Sequence, residues 1–269
     1  YSKWKSFKVM LKHIAGFFFL PVVGNPYWTF PYLHKIASRY SLKSIYFFLE
    51  KDQRHTDSYY KFTDRRMLRI MRKLKNKGYE IALHGTRRSA NDENAFITTY
   101  TNLQNVYPDP IDGVRQHTLR YFAPYTARFW HKAGIKYDST LGFAAHEGFR
   151  NSYCHPFKLY DFEKEEMLNV WEFPLNIMDV SLFGYRGLSY DDALASTRKI
   201  TDEVKRFNGV FTLLWHNHMF DEDKYPGIKA FYNTLISHIT QKTPESLTGR
   251  ELTERLKQST YPHVNVQND

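Results

Sequence analysis

Short apolar runs recur along the chain, and between them lie longer stretches whose apolar residues return every three or four positions. The short runs suit strands covered on both faces, and the longer stretches suit helices packed along one side. Strands are expected at Ser44–Leu49, Tyr79–Leu83, Asp112–His117, Ile135–Ser139 and Val210–Trp215, with an extended segment from Leu168 to Val180 broken at Pro174. A helix is expected to start at Asn25-Pro26, a cap followed by a first-turn proline, and to run to about Tyr40. Another starts at Thr63-Asp64, carries Met67, Leu68, Ile70, Met71 and Leu74, and stops at Gly78. Further helices are expected over 91–106, from Ala123 to Ala133 with Gly134 closing it, from Ser189 to Gly209, over 226–241, and from Thr248. Residues 51–62 read as polar loop, and residues 140–166 as a long aromatic loop without periodicity.

Strands alternating with helices give an α/β fold with parallel strands, in which side chains at C-terminal strand ends line the site. His84, Arg115, His117, Asp138 and His216 all fall at such ends. The stretch 113–150 adds Arg120, His146, Glu147 and Arg150. A core has little use for so many polar groups, since each one buried without a partner costs about 1–3 kcal/mol. Plainer roles exist for each. His84 and His117 could simply bond backbone, Arg115 and Arg150 could pair with Asp138 or Glu147, and Asp138 could cap the turn at Ser139-Thr140.

Composition narrows this picture. A length of 269 residues with 42% hydrophobic content fits one large domain with a real core. The net charge of +10 points to an anionic partner, whether nucleic acid, membrane surface or polymer. The basic residues cluster at Lys3–Lys12, Arg65–Lys77 and Arg87-Arg88; the second cluster has helical spacing and reads as a solvated face. No nucleic-acid module is visible, so nucleic acid is not an expected partner. Cys154 stands alone, which excludes an internal disulfide and a Cys-rich metal site. The apolar run Ile14–Val23 is short and interrupted by Pro21, so no transmembrane segment is expected. Residues 1–24 read as an N-terminal extension and 259–269 as a tail; without an export signal the default compartment is cytoplasmic.

Four motifs occur in order: Gly78-Tyr-Glu-Ile-Ala-Leu-His84, Gly113-Val-Arg-Gln-His117, Tyr137-Asp-Ser-Thr-Leu-Gly-Phe143 with Gly148-Phe-Arg150, and Leu213-Leu-Trp-His216-Asn. Together they resemble a divergent branch of the polysaccharide deacetylases, the NodB-homology or carbohydrate esterase family 4 group, over roughly residues 26–258. The resemblance implies a distorted (β/α) barrel of seven strands over 25–258, incomplete at its N-terminus. It implies removal of N-acetyl groups from an N-acetylated carbohydrate, a polysaccharide or glycan precursor, in bacterial glycan biosynthesis. The implied cofactor is a divalent metal, zinc in most of the family, held by an Asp and two His. His84 matches the first metal His, and His216 the late-strand His that acts as general acid. Arg115 or Arg120 matches the arginine that orients the catalytic carboxylate, and Asp138 the Asp that tunes the catalytic His. His146, Glu147 and Arg150 are the expected substrate contacts.

Two departures stand out. The second metal His of the family falls at Arg88, so His117 becomes the first choice as replacement ligand. The family's paired aspartates have no match before Ser44, and are expected upstream of Tyr1. These departures keep a second reading open: a catalytically inactive barrel that binds a glycan or a partner protein. A third is an amide hydrolase acting on a small molecule.

Overall fold

Eight short strands position everything else. The computed structural model describes residues 28–51, 57–242 and 244–258. The strands are β1 (Ile45–Leu49), β2 (Glu80–Gly85), β3 (Gly113–Gln116), β4 (Tyr137–Asp138), β5 (Phe157–Asp161), β6 (Glu166–Glu172), β7 (Ile177–Met178) and β8 (Leu213–Leu214). Six form one sheet in the order β1-β2-β3-β4-β6-β5, and β7 pairs with β8 in a second. All pairings are parallel except β5 with β6. Apolar runs such as Ile81-Ala82-Leu83 are fully buried, as expected for strands covered on both faces.

The two sheets share a backbone. The segment that forms β6 continues through Pro174 into β7, and on the way Phe173 N–H donates to Asp138 O (2.8 Å) and Leu175 N–H to Leu141 O (3.1 Å). Asn176 N–H then reaches Thr212 O at 3.2 Å, so the path passes from the first sheet to the second without a break. Among the described residues no strand hydrogen bonds join β8 back to β1, and the expected closed barrel is not completed in that way. Helices bridge the gap instead. Tyr32, in α1 (Phe30–Arg39), donates its hydroxyl to Lys229 O at 2.6 Å, in α6 (Ile228–Gln241), and its ring lies 5.1 Å from that of Phe220. Arg39 and Tyr40 both donate to Asn233 Oδ1, at 3.1 and 3.2 Å.

The remaining helices follow the expected pattern closely: α2 (Arg65–Lys75), α3 (Glu93–Val106), α4 (Tyr125–Ala133), α5 (Tyr190–Arg206) and α7 (Gly249–Gln258). Asp92 and Ser189 cap α3 and α5 by accepting from Ala95 N and Asp192 N. Gly134 closes α4 at φ 80°, a left-handed turn that glycine adopts without a Cβ penalty. No helix among the described residues is long and apolar enough to cross a membrane.

Three expectations need correction. The helix placed at Asn25 begins at Phe30, with Pro31 as its early proline; Asn25 and Pro26 lie outside the described residues, as do the extension 1–24 and the tail 259–269. The strand placed over 210–215 shrinks to Leu213–Leu214. Seven described strands pair in parallel, the number expected, and β5 adds an antiparallel edge. The loop expected over 140–166 contains β5, an edge strand whose partly exposed residues leave no continuous apolar run to recognise.

Candidate active site

Because β1–β4 and β6–β8 run parallel, their C-terminal ends face one way and deliver polar side chains to one rim. His84 sits at the end of β2, and its Nδ1–H donates to Arg115 O at 2.6 Å. The next residue must be small. A Cβ on Gly85 would lie 1.6 Å from Gln116 Oε1, an oxygen that accepts from Ser89 Oγ at 3.1 Å. The His84 ring edge reaches solvent, but its surroundings are densely packed. Burial is the largest cause pulling its pKa down to about 3, and His117, Arg115 and His216 add to it. His84 is therefore a neutral imidazole with a lone pair on Nε2.

His117 follows β3 and stands edge-on to His84, ring centres 5.4 Å apart. Its Nδ1 bonds the carboxylate of Asp57, whose side chain is fully buried. Asp57 also accepts from Arg87 N–H at 3.1 and 3.3 Å. The backbone turns sharply after His117: Thr118 and Leu119 have φ of 58° and 53°, a region costing about 1–3 kcal/mol per non-glycine residue. Such strain persists where surroundings demand one ring position.

His216 follows β8, and Asp179 follows the neighbouring β7. Asp179 is fully buried and binds both ends of its neighbour: His216 Nδ1 to Oδ1 at 2.6 Å, and His216 N–H to Oδ2 at 2.5 Å. The ring of His218 lies 5.3 Å from that of His216. Burial, then the charge of His216, holds the His218 pKa below its ordinary value. His216 follows β8 as His84 ends β2, and charge on His216 is felt at His84.

The arginines and Asp138 take other places. The Arg115 head is buried under the rim, donating to Ser139 O and Oγ, both at 2.8 Å, and stacking 4.3 Å over Phe47. Burial lowers its pKa to about 10, still charged at neutral pH. Its side chain therefore orients no rim carboxylate; its contribution to the rim is the carbonyl that holds His84. Asp138 accepts from Thr140 N at 3.0 Å and Thr140 Oγ1 at 2.5 Å, and packs against Glu172. Asp138, expected beside His216, makes no bond to it; the carboxylate that bonds His216 is Asp179. Burial and then the Asp138 charge push the Glu172 carboxyl well above its ordinary range. A proton kept on Glu172 gives its Oε2, which has no other partner, a bond to Asp138. The Arg120 head lies 5.5 Å over the Phe122 ring, and its backbone N–H donates to His117 O at 3.4 Å.

The long loop is tied down. Glu147 Oε1 accepts from Arg186 and from Ser196 of α5. Burial acts to raise the Glu147 carboxyl, and these donors outweigh it and hold it below its ordinary value. The Glu147 carboxylate thus latches the loop rather than standing open for substrate. His146 is exposed and stacks 4.1 Å from Phe143, while Arg150 reaches Gly142 O at 3.4 Å. Arg88 turns outward to Asp92 in an exposed ion pair, so its charge does not sit in the position expected for a second metal ligand.

Sequence reasoning missed Asp57, Asp179 and Glu172. Asp179 carried a usable signal, since it ends the extended segment as His84 ends its strand. Asp57 carried none beyond following β1 in a polar loop.

The donor chemistry of His84 and His117 suits a divalent metal, since both offer Nε2 and both are backed through Nδ1. The set is incomplete: among the described residues no group of three His, Cys, Asp or Glu could hold a metal ion. A catalytic zinc keeps three protein ligands.

Comparison with known proteins bears on the fold. A putative polysaccharide deacetylase from Mycobacterium smegmatis superposes with a TM-score of 0.64 at 20% identity, covering 86% of this chain and 78% of its own. The fold is NodB-like. Puue allantoinase shares it, with a TM-score of 0.60 at 14% identity over 96% of this chain and 78% of its own. So does BA3943 from Bacillus anthracis, described as a CE4 family pseudoenzyme, with a TM-score of 0.50 at 9% identity over 86% of this chain and 62% of its own. No family model and no curated protein matches the chain. This NodB-like frame has carried deacetylase, allantoinase and pseudoenzyme alike, so function must be argued from the rim.

Proposed function

We propose that the chain is a hydrolase that removes N-acetyl groups from sugars of a polysaccharide or glycan precursor. The observation that carries this reading is His216 bonded to a buried Asp179 at one strand end, with the neutral His84 at another. Amide hydrolysis needs a proton delivered to the departing nitrogen, because an amide anion is too poor a leaving group. Asp179 fixes the His216 proton on Nδ1, aims the ring, and balances the charge when Nε2 is protonated. Water gives a proton to His216 Nε2 as its oxygen adds to the acetyl carbonyl carbon; His216 then passes that proton to nitrogen as the C–N bond breaks, leaving acetic acid, which ionises to acetate, and the free amine.

His84 and His117 would hold the divalent ion implied by the resemblance, zinc being the ordinary partner of imidazole. When bound, such an ion acidifies its water and polarises a carbonyl. The incomplete ligand set favours one competing reading, an inactive barrel that binds glycan without cleaving it.

Acetate release from N-acetylglucosamine oligomers distinguishes the two. The expected result is activity in the wild type, with a loss on the order of 10²–10⁴-fold in both His216→Ala and His84→Ala. Equal activity in all three proteins sinks the hydrolase reading. Oligomer binding without acetate release from any of them establishes the inactive barrel.

A further inference from the structure

The helix α2 is unlike the others in charge. Its sequence, Arg65-Arg66-Met67-Leu68-Arg69-Ile70-Met71-Arg72-Lys73-Leu74-Lys75, holds six cations and no anion. Ile70, Met71 and Leu74 are buried against the core, and Arg65, Arg66, Arg69, Arg72 and Lys73 are exposed. At 3.6 residues per turn those five occupy a stripe roughly 120° wide and about 12 Å long. Lys75 pairs with Asp109, but the five form no ion pair among the described residues. The nearby Asp64 spends its carboxylate on Lys61 N–H at 3.0 Å.

Arg72 and Lys73 in the last turn suit the helix dipole, but the rest of the stripe works against the helix. Arg65 and Arg66 occupy the first turn, where the helix dipole favours anions. Arg69 has like charges three or four positions away on both sides, at Arg65, Arg66, Arg72 and Lys73, and such pairs destabilise a helix. A stripe whose first turn opposes its own helix, and which has no ion-pair partner among the described residues, is built to meet charge from outside. Its shape narrows the choice. It is the convex side of a helix, with no exposed aromatic ring on it to stack a base and no groove to enclose a strand. Regular cations alone suit a flat, extended anionic plane.

We propose that the outer face of α2 docks the protein on an anionic phospholipid surface. The Arg65, Arg69 and Arg72 heads meet lipid phosphates, and the rest of the protein stays in water. This inference is independent of the hydrolase reading and survives its failure.

The test is co-sedimentation of the whole chain with vesicles containing roughly one-third phosphatidylglycerol in phosphatidylcholine. Binding is expected at low salt. It is expected to vanish at salt on the order of 0.5 M, where charges are screened within a few Å. Each cation near such a surface contributes about a fivefold gain in partition, so the triple variant R65Q/R69Q/R72Q should bind on the order of 100-fold more weakly. A control, R198Q/K199Q/K205Q on the exposed face of α5, lowers net charge equally and should keep most of the binding. Thermal melting checks folding, and the α2 variant should melt no lower than wild type, since it relieves like-charge pairs. Equal binding to pure phosphatidylcholine overturns the proposal, as does an equal loss in both triple variants. So does tight binding to single-stranded nucleic acid or heparin without binding to the anionic vesicles.

Discussion

The two ends of the rim hold their histidines by different means. On one side His84 is fixed by a backbone carbonyl, which sets the ring but brings no charge, and burial keeps it neutral. On the other, His216 is fixed by Asp179, a buried carboxylate that can balance a protonated ring. His117 stands beside His84 yet is held like His216, by Asp57. Identical side chains are thereby given different work through the acceptor behind them. A carbonyl steadies a ring without charge; a carboxylate steadies His117 as a lone-pair donor and, behind His216, can also balance a protonated ring.

The comparison breaks most visibly at Asp179. Asp179→Asn preserves shape but removes the charge, and should lower kcat by up to about 10⁴-fold with little change in KM. Steady-state acetate release measures this; an unchanged kcat means that His216 does not transfer the proton. Asp57→Asn should cost less, about 10–100-fold in activity, because Asp57 only orients a ring that binds. If Asp57→Asn instead matched Asp179→Asn, the two carboxylates would have equivalent roles and the contrast would collapse.

A third carboxyl sharpens it from the stability side. Glu172 keeps its proton because burial and Asp138 push its pKa well above the ordinary 4.5. Above pH 4.5 the unfolded chain releases this proton and the native chain retains it. The native state then binds more protons, so stability falls as pH rises from 4.5 toward the folded pKa. Glu172→Gln cannot ionise, so its melting temperature should decline less over that window and exceed wild type at pH 8. A parallel decline in both proteins would show that Glu172 ionises freely. The smallest effect is at Thr118. Thr118→Gly relieves a left-handed residue and should stabilise by about 1 kcal/mol, a rise of about 2 °C in Tm, while activity falls as His117 loosens.

Much of this frame was legible in the sequence. Strong periodicity gave the helices, and buried runs gave β1 to β3, because those signals come from burial on a regular lattice. The strand-end rule placed His84, His117 and His216 at one rim. The partners behind them were harder to read. Asp57 and Asp179 pair with residues 60 and 37 positions away, and no local pattern records a contact of that span. Asp138 misled for the same reason: a strand-end carboxylate can point at the pocket or under it, and only packing against Glu172 and Thr140 decides which. The hairpin of β5 and β6 escaped because an edge strand half in solvent lacks the apolar run that marks a central one.

The bridge between α1 and α6 has a kinetic consequence. Tyr32 meets Lys229, and Tyr40 meets Asn233, across 197 and 193 residues. Contacts of that separation form late, because the intervening loop must close before they reward it. On the ribosome, the strands that carry His84 and His117 emerge well before β8 brings His216. The rim therefore exists as two separate halves through much of synthesis, and is completed only when the C-terminal helices arrive to lock the first described helix in place.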